Sequence, residues 1–182
     1  AAITGGATYL GVAILDEAIE LRKAGITLPI LVLGRMRPSD AQVAADLNIS
    51  ATVFSQVWLV QAEKYLNNSK ALSIHLKCDT GLGRLGFIKA EEVRTTSQFL
   101  HDSANYVFEG IYTHFATADE PNTSYYQEQF KTFQQLIQLL EEENISVPYI
   151  HCSNSAAAMR FPERAFTMVR FGISMYGLTP ST

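Results

Sequence analysis

The stretch HLKCDTGLGRLG, residues 75–86, closes an apolar segment with a cluster of charged residues and glycines. Side chains of an extended chain alternate between two faces, so His75, Lys77 and Asp79 are expected to share one side. The glycines allow backbone conformations that other residues rarely adopt, and they surround Arg84, whose planar guanidinium suits an oxygen or ring-nitrogen partner. A solvated surface turn is the alternative. The rest of the chain favours a strand end that carries chemistry.

The composition excludes several classes of protein. The 182 residues are 47% hydrophobic and 18% charged, which is the balance of a globular protein with a core. A net charge of -4 without a long basic run argues against a nucleic-acid partner. The apolar runs fall far short of the roughly 20 residues that span a bilayer, so no membrane segment is expected. Cys78 and Cys152 are not spaced as CxxC, which indicates reduced thiols and a cytoplasmic protein.

A short apolar run, a turn and a segment with helical spacing recur along the chain. Strands are predicted at residues 9–15, 29–33, 51–54, 72–78, 106–115, 149–152 and 166–171. The first helix is predicted to follow Asp16 as a candidate cap and to stop at Gly25. Further helices are predicted at 39–47, 56–66, 90–100, 126–140 and 153–161. Alternating strands and helices predict parallel pairing through right-handed crossovers.

Two α/β folds satisfy this alternation, an open doubly wound sheet and a (β/α)8 TIM barrel. No GxGxxG follows the first strand, so the nucleotide fingerprint of the open sheet is missing. Polar residues gather where the predicted strands end, at Lys77, Asp79, His114, His151 and Arg170. The carboxyl ends of the strands build the active site of a barrel. We therefore expect an incomplete barrel of about seven βα units, with a first strand preceding the chain.

Zinc is an alternative role for the histidines and cysteines. His75 and Cys78 lie on opposite faces of one predicted strand, and so do the neighbours His151 and Cys152. Neither pair could converge on one ion, so no metal site is expected. Taken singly, His114 and His151 could be satisfied structural histidines, and their joint place at strand ends is what favours a site.

A second set of residues is suited to an anion. Asn154 and Ser155 lie where the sixth predicted strand gives way to a helix, which presents free N–H groups and a hydroxyl. Gly172 and Ile173, after the last predicted strand, could direct N–H groups to the same point. These turns would follow strands seven and eight of a complete barrel, where phosphate commonly binds. An ordinary helix cap at Ser153 or Ser155 is the alternative, and a phosphate-bearing cofactor is the more specific prediction.

Four motifs occur in order, HLKCDTGLGRLGF, GIYTHFATADE, HCSNSAAAMRF and VRFGISMYGL, after the opening GVAILDEAIELRKAGITLPILVLG. In these motifs the chain resembles the bacterial alanine racemase family, fold-type III enzymes that use pyridoxal 5'-phosphate. The resemblance covers essentially the whole chain. It implies that residues 1–182 form the cofactor-binding (β/α)8 barrel domain without its first strand, and that the mostly β C-terminal domain is absent here.

The resemblance also implies roles for single residues. Arg170 would bond to the pyridine nitrogen and, because arginine keeps its proton, would leave the ring a weaker electron sink, which disfavours transamination. Arg84 would lie near the cofactor phenolic oxygen and the substrate carboxylate, and a carbamylated Lys77 would orient it. His114 and His151 would orient Arg170.

The remaining roles concern the phosphate and the substrate. Ser155, Gly172 and Ile173 would hold the phosphate, with Asn154 beside them. Leu82 falls at a substrate-pocket position that often carries Met in the family, which bears on the shape of that pocket.

The activity implied is the interconversion of L-alanine and D-alanine, which supplies D-alanine for peptidoglycan, in a cytoplasmic homodimer. Racemisation needs a base on each face of the α-carbon. By the resemblance, the cofactor lysine lies upstream of Ala1 and a tyrosine from the partner subunit lies downstream of Thr182. We therefore expect this 182-residue chain alone to be inactive.

Two other functions stay open. One is a racemase of the same fold that acts on serine or on several small amino acids. The other is a non-catalytic barrel that binds pyridoxal phosphate. Against the second stands a set of residues larger than phosphate anchoring needs, namely Lys77, Arg84, His114 and Arg170.

Overall fold

Six βα units follow one another along the chain. The structure is a computed structural model, and it describes residues 1–67 and 69–180. The strands are β1 (Leu10–Val12), β2 (Ile30–Val32), β3 (Ile49–Val53), β4 (Leu72–Lys77), β5 (Tyr106–Tyr112) and β6 (Tyr149–His151). The helices are α1 (Leu15–Lys23), α2 (Ala41–Asp46), α3 (Gln56–Ala62), α4 (Ala90–Asp102), α5 (Ser124–Glu142) and α6 (Ser155–Arg160).

The strands are hydrogen-bonded in chain order, from β1 to β6. Pairing is parallel between β1 and β2, β2 and β3, β3 and β4, and β5 and β6. In register, Leu10 lies opposite Ile30, Ile30 opposite Ile49, and Gly110 opposite Tyr149. A helix follows every strand, as a parallel sheet requires. The predicted parallel α/β organisation is confirmed.

The chain divides into two compact units, and each has its own buried core. The first unit comprises Ala1–Leu76 and Phe99–Glu109. Every residue of β2 and β3 is buried, which is typical of parallel strands covered on both faces. Helix α3 is fixed to this core because Trp58 Nε1 donates to Met36 O at 2.6 Å and Tyr106 Oη donates to Leu59 O at 2.7 Å.

The second unit comprises Lys77–Gln98 and Gly110–Thr182. Its long helix α5 buries one face, as the spacing of apolar residues predicts. Tyr126 stacks on Phe161 at 4.5 Å between ring centroids, and the Arg164 guanidinium lies 5.1 Å from the Phe130 ring. None of the helices that the structure describes is both long and apolar enough to cross a lipid bilayer.

The seventh predicted strand, residues 166–171, is wrong. The segment donates backbone hydrogen bonds from Thr167 to Ile150 O at 3.1 Å and from Arg170 to Ser153 O at 2.9 Å. A strand ladder does not form, because the N–H of Ile150 is taken by the Thr167 hydroxyl rather than by a backbone carbonyl. The segment nevertheless runs beside β6, so Arg170 still reaches the end of that strand.

Several predicted boundaries also differ. The first strand ends at Val12, and α1 begins at Leu15 rather than at Asp16. Asp16 does not cap it, since the Glu17 carboxylate accepts the backbone N–H groups of Ala13 and Ile14. The helices predicted at 39–47 and 56–66 are each part α-helix and part 3-10 helix.

Candidate active site

The turn after β4 is organised by one carboxylate. Asp79 Oδ1 accepts the N–H groups of Gly81 at 2.9 Å and Gly83 at 3.0 Å, and Oδ2 accepts the N–H of Arg84 at 2.9 Å. Burial by itself would raise the pKa of Asp79, but these backbone hydrogen bonds outweigh it and lower the pKa. The carboxylate is therefore charged at neutral pH and fixes the path of the turn.

The turn closes at Gly86, where only glycine fits. Gly86 has a φ of 142°, and a Cβ there would lie 2.4 Å from the Asp79 nitrogen and 2.6 Å from the Cys78 carbonyl carbon. The next residue, Phe87, donates to Lys77 O at 2.9 Å and accepts from the Asp79 N–H at 2.8 Å. The glycine pattern thus encodes a tight loop that returns to its own strand.

The guanidinium of Arg170 lies against the ends of β5 and β6. Nη1 donates to His151 Nδ1 at 2.7 Å, and Nη2 lies 3.2 Å from His114 Nδ1. Nη2 also donates to Thr113 O at 2.8 Å and to Cys152 O at 3.2 Å. Within residues 1–67 and 69–180, Arg170 has no carboxylate partner and its Nε donates no hydrogen bond.

Both histidines act as acceptors toward Arg170. An arginine can only donate, so Nδ1 of His151 and Nδ1 of His114 carry lone pairs in these contacts. Burial, followed by the positive charges of Arg170 and Lys77, lowers the pKa of His114 to about 3. His114 is therefore neutral at physiological pH. The arrangement holds a permanent cation among neutral acceptors.

Tyr112 joins these residues, and the sequence analysis missed it. His151 stacks on its ring with 4.5 Å between centroids and 7° between planes. Lys77 Nζ lies 5.0 Å and Arg170 Cζ 5.1 Å from the centroid of the same ring, within cation–π distance. The available signal was its position two residues before His114 in a strand, where side chains share a face.

Lys77 is buried, with 3% of its surface exposed, and it faces other cations. Burial, then Arg170 and Arg84, lower its pKa to about 8, and Asp79 opposes this shift. Its Nζ donates no hydrogen bond to any residue in the described part of the chain. Arg84 itself is exposed, and its side chain likewise makes no hydrogen bond there. We refer to five residues as the Arg170 cluster: Lys77, Tyr112, His114, His151 and Arg170.

The predicted anion-binding residues come together beside α6. Ser155 Oγ accepts the N–H groups of Gly172 at 3.0 Å and Ser174 at 3.4 Å. Asn154 is the N-cap of α6, and its side chain accepts a backbone N–H of the first turn at 3.0 Å. Ile173 begins the last 3-10 helix, directly after Gly172. The structure thus joins the two segments that carry these four residues, and it gives the Asn154 side chain the role of a helix cap.

The donors at this turn suit an anion. The N–H groups of Ser155 and Ala156 open α6, so no helical acceptor precedes them, and neither donates to another described residue. The Ser155 hydroxyl lies beside them. Free N–H groups together with a hydroxyl are the chemistry that phosphate oxygens require. The other predicted residue, Leu82, is half-buried within the glycine turn.

A different polar cluster lies in the first unit. Glu109 Oε2 accepts Ser50 Oγ at 2.6 Å, Tyr9 Oη at 3.0 Å and His75 Nε2 at 3.1 Å. These four residues are the Glu109 cluster, and the sequence analysis missed three of them. Burial tends to raise the pKa of Glu109, but hydrogen bonds from His75 and Ser50 lower it. No group of three potential ligands is arranged around a metal in the described residues.

Comparison with known proteins finds similarity to alanine racemases and to a histidine racemase. A family model described as alanine racemase, N-terminal domain, matches residues 1–180. An alanine racemase of Geobacillus kaustophilus is 51% identical over 180 residues, which cover 99% of this chain and 46% of that protein. The crystal structure of alanine racemase from Bacillus anthracis with bound L-Ala-P has a TM-score of 0.94 at 44% identity, covering 100% of this chain and 47% of that one.

A further structure, of histidine racemase from Leuconostoc mesenteroides, has a TM-score of 0.84 at 34% identity, covering 97% of this chain and 47% of its own. The chain spans about half the length of the curated relatives that it matches. These matches confirm the predicted fold class, the incomplete barrel of the N-terminal domain type.

Proposed function

The chain belongs to the alanine racemase family, and on that premise we propose that the protein carrying it is an isomerase that interconverts L-alanine and D-alanine with pyridoxal 5'-phosphate. The observation that carries the proposal is Arg170. Its guanidinium is held by His114, His151 and two carbonyl oxygens, and it lacks a counter-ion in the described residues. Such a cation suits a ligand that brings acceptor atoms of its own.

We propose that residues 1–182 are the cofactor-binding barrel domain. The bound cofactor supplies an electron sink for the bond that breaks at the substrate α-carbon. Arg170 would hold the pyridine nitrogen through a donor that the described residues leave unused, since Nε donates no hydrogen bond and Nη1 donates one of its two. Because a guanidinium keeps its proton at every physiological pH, Arg170 leaves that nitrogen unprotonated.

His114 and His151 position Arg170. Each offers a lone pair to one terminal nitrogen of the guanidinium, which fixes its plane. The low pKa of His114, about 3, keeps this lone pair available at the pH of the cell. The phosphate is bound by the turn of Ser155, Gly172 and Ile173, which Asn154 stabilises by capping α6.

Arg84 binds the substrate carboxylate, and Leu82 lines the substrate pocket from the same turn. Arg84 is exposed, and its guanidinium makes no hydrogen bond to the described part of the chain, so it is available to an anion. The protein acts in the cytoplasm as a homodimer and supplies D-alanine for peptidoglycan. Two buried free thiols are consistent with that compartment.

Lys77 is carbamylated in the active protein. As an ammonium it faces Arg170 and Arg84 without an acceptor, and both charges lower its pKa. As a carbamate it becomes an anion between these cations and can orient Arg84. Protein grown with ¹³C-bicarbonate is expected to give a carbamate carbonyl resonance that Lys77→Arg lacks. Equal spectra for the two proteins would remove this role.

The test of the function is a racemase assay of the whole protein with added pyridoxal phosphate. We expect D-alanine from L-alanine at a kcat/KM above that for serine or histidine, and equal conversion in the reverse direction at equilibrium. Turnover that is faster with serine would support the broader racemase. Cofactor binding without turnover of any of these amino acids would support the non-catalytic barrel.

A further inference from the structure

The position of Arg84 is set by its backbone and not by its side chain. The side chain is exposed and makes no hydrogen bond with the residues that the structure describes. Its backbone N–H is bound at 2.9 Å by Asp79 Oδ2. An arginine on a mobile loop would bind a carboxylate only after it had lost conformational freedom. Whatever fixes this loop therefore controls how well Arg84 is prepared for substrate.

Asp79 uses both oxygens on the loop backbone. Oδ1 accepts from Gly81 and Gly83, and Oδ2 accepts from Arg84, so one side chain binds three of the five residues 80–84. Burial of Asp79 is only partial, but hydrogen bonds from N–H groups to a charged acceptor are stronger than neutral ones. No other side chain binds the backbone N–H of Arg84 in the described chain.

The same loop is tied to the Arg170 cluster. Thr80 Oγ1 and Thr113 Oγ1 are hydrogen-bonded at 2.8 Å, and the carbonyl of Thr113 accepts from Arg170 Nη2 at 2.8 Å. On the other side, Tyr125 Oη donates to Gly81 O at 2.6 Å. These contacts hold the first half of the loop. The second half, which carries Arg84, depends on Asp79.

We propose that Asp79 is a positioning residue that holds the loop of residues 79–86 so that Arg84 meets the substrate carboxylate in a preformed orientation. The inference rests on the proposed function, since it assigns Arg84 to the substrate. It adds a backbone anchor to the side-chain role proposed for carbamylated Lys77. Both carboxylate oxygens of Asp79 are used by N–H groups of the loop, so its effect is exerted through the geometry of Arg84.

The test uses Asp79→Ala, Asp79→Asn and, as a matched control, Glu92→Ala in the whole cofactor-loaded protein. Glu92 is exposed on α4, and its one ion pair with a residue that the structure describes is to Lys89, at 3.9 Å. Asparagine keeps one acceptor oxygen, which can serve Gly81 and Gly83, but its NH₂ cannot accept from Arg84. We therefore expect Asp79→Asn to lose the hydrogen bond to Arg84 and Asp79→Ala to lose all three hydrogen bonds to the loop backbone.

Two readouts separate positioning from general stability. Amide hydrogen exchange should be slow at Gly81, Gly83 and Arg84 in the parent protein, fast at all three in Asp79→Ala, and fast only at Arg84 in Asp79→Asn. The kcat/KM for alanine should fall about 100-fold in Asp79→Ala through a higher KM and a lower kcat. Asp79→Asn should be intermediate, and Glu92→Ala unchanged.

The proposal is overturned if the Asp79 variants retain slow exchange at Arg84, or if they lose it while kcat/KM stays within threefold. Should Asp79→Ala fail to fold, Asp79→Asn decides by the same two readouts. A parent protein that shows the protected amides but no racemase activity refutes the proposed function instead. In that outcome the exchange data still test whether Asp79 holds the loop.

Discussion

The two polar clusters of the chain have opposite charge designs. In the Glu109 cluster, one carboxylate collects three donors from Tyr9, Ser50 and His75, and its side chain is 19% exposed. In the Arg170 cluster, one guanidinium is surrounded by neutral acceptors and lies near a second cation, Lys77. The charge of the first cluster is stabilised by hydrogen-bond donors of the protein itself. The second has an excess of positive charge within the described residues.

This difference separates a structural network from a binding site. Burying a charge without a partner is costly, so a folded chain retains such a group where something else compensates it. Burial lowers the pKa of Arg170, which reflects that cost. Under the proposed function, a carbamate on Lys77 and the acceptor atoms of the bound cofactor would provide that compensation. The Glu109 cluster needs no ligand, and we expect mutations there to change stability rather than activity.

The largest expected effect concerns activity. Arg170→Gln removes the cation and its fixed plane, and we expect kcat/KM for alanine to fall about 100-fold to 1,000-fold, as when an essential preorganised donor is lost. Glu109→Gln retains an acceptor and should stay within about threefold of the parent protein. Steady-state racemisation with both variants checks the contrast. Comparable losses in both would mean that the two clusters do not differ in function.

The next prediction concerns stability, for which a mutation in the Glu109 cluster should have the large effect. Glu109→Ala removes a charged acceptor that three side chains share, those of Tyr9, Ser50 and His75, so we expect the free energy of unfolding to fall by about 3 kcal/mol. The control Glu20→Ala, on the exposed face of α1, should stay within about 0.5 kcal/mol. Urea unfolding measures both. A change below about 1 kcal/mol for Glu109→Ala would contradict the structural role.

Most residues of the Arg170 cluster could be predicted from the sequence, whereas the meeting of residues in the Glu109 cluster could not. Lys77, His114, His151 and Arg170 stand out because polar residues interrupt apolar runs at strand ends, and parallel strands bring such ends together. Their convergence could therefore be predicted. Glu109 lies inside β5 and His75 inside β4, and nothing in their neighbours indicates that they meet. Only the register of the strands reveals that pairing.

The errors in secondary structure have a similar origin. Residues 166–171 have the alternation of a strand, but a side-chain hydroxyl, Thr167 Oγ1, occupies the hydrogen bond that a ladder needs. Asp16 lies inside α1, whose N-cap is Ile14, and the carboxylate of Glu17 accepts the N–H groups that precede the helix. The sequence analysis missed Tyr112 because the sequence pattern does not distinguish it from an ordinary aromatic core residue of a strand.

A smaller effect depends on pH. The pKa of His114 is about 3 in the folded protein against 6.5 as its ordinary value, so the unfolded chain binds more protons between these limits. His114 therefore makes the protein less stable as the pH falls from about 6.5, by at most about 1.4 kcal/mol per pH unit. Relative to the midpoint of His114→Asn, the unfolding midpoint of the parent protein should fall as the pH is lowered below about 6.5. Parallel curves would contradict the assignment of a neutral His114.

The smallest expected effect tests whether the buried ammonium of Lys77 destabilises the folded protein. In bicarbonate-free buffer, Lys77→Met should raise the free energy of unfolding at pH 7 by about 1 kcal/mol, because an ammonium no longer lies buried near Arg170. The pKa of Lys77 is about 8 in the folded protein, against 10.5 as its ordinary value. The parent protein therefore gains stability as the pH rises above 8, and the difference in free energy of unfolding between Lys77→Met and the parent should become smaller. Lys131→Met, exposed on α5, is the control. A loss of more than about 1 kcal/mol in Lys77→Met would show that the ammonium stabilises the fold.

The central claim is that the Arg170 guanidinium binds pyridoxal phosphate. The most direct measurement is the equilibrium Kd for this cofactor in the parent protein, Arg170→Gln and Glu109→Gln, from the change in cofactor absorbance on titration. We predict that the parent protein binds the cofactor and that Arg170→Gln raises the Kd at least about tenfold, since the loss of a single charged contact is sufficient for that change. Glu109→Gln should leave the Kd within about twofold of the parent value. Equal affinity for the parent protein and Arg170→Gln, or no binding to the parent protein, would contradict the account.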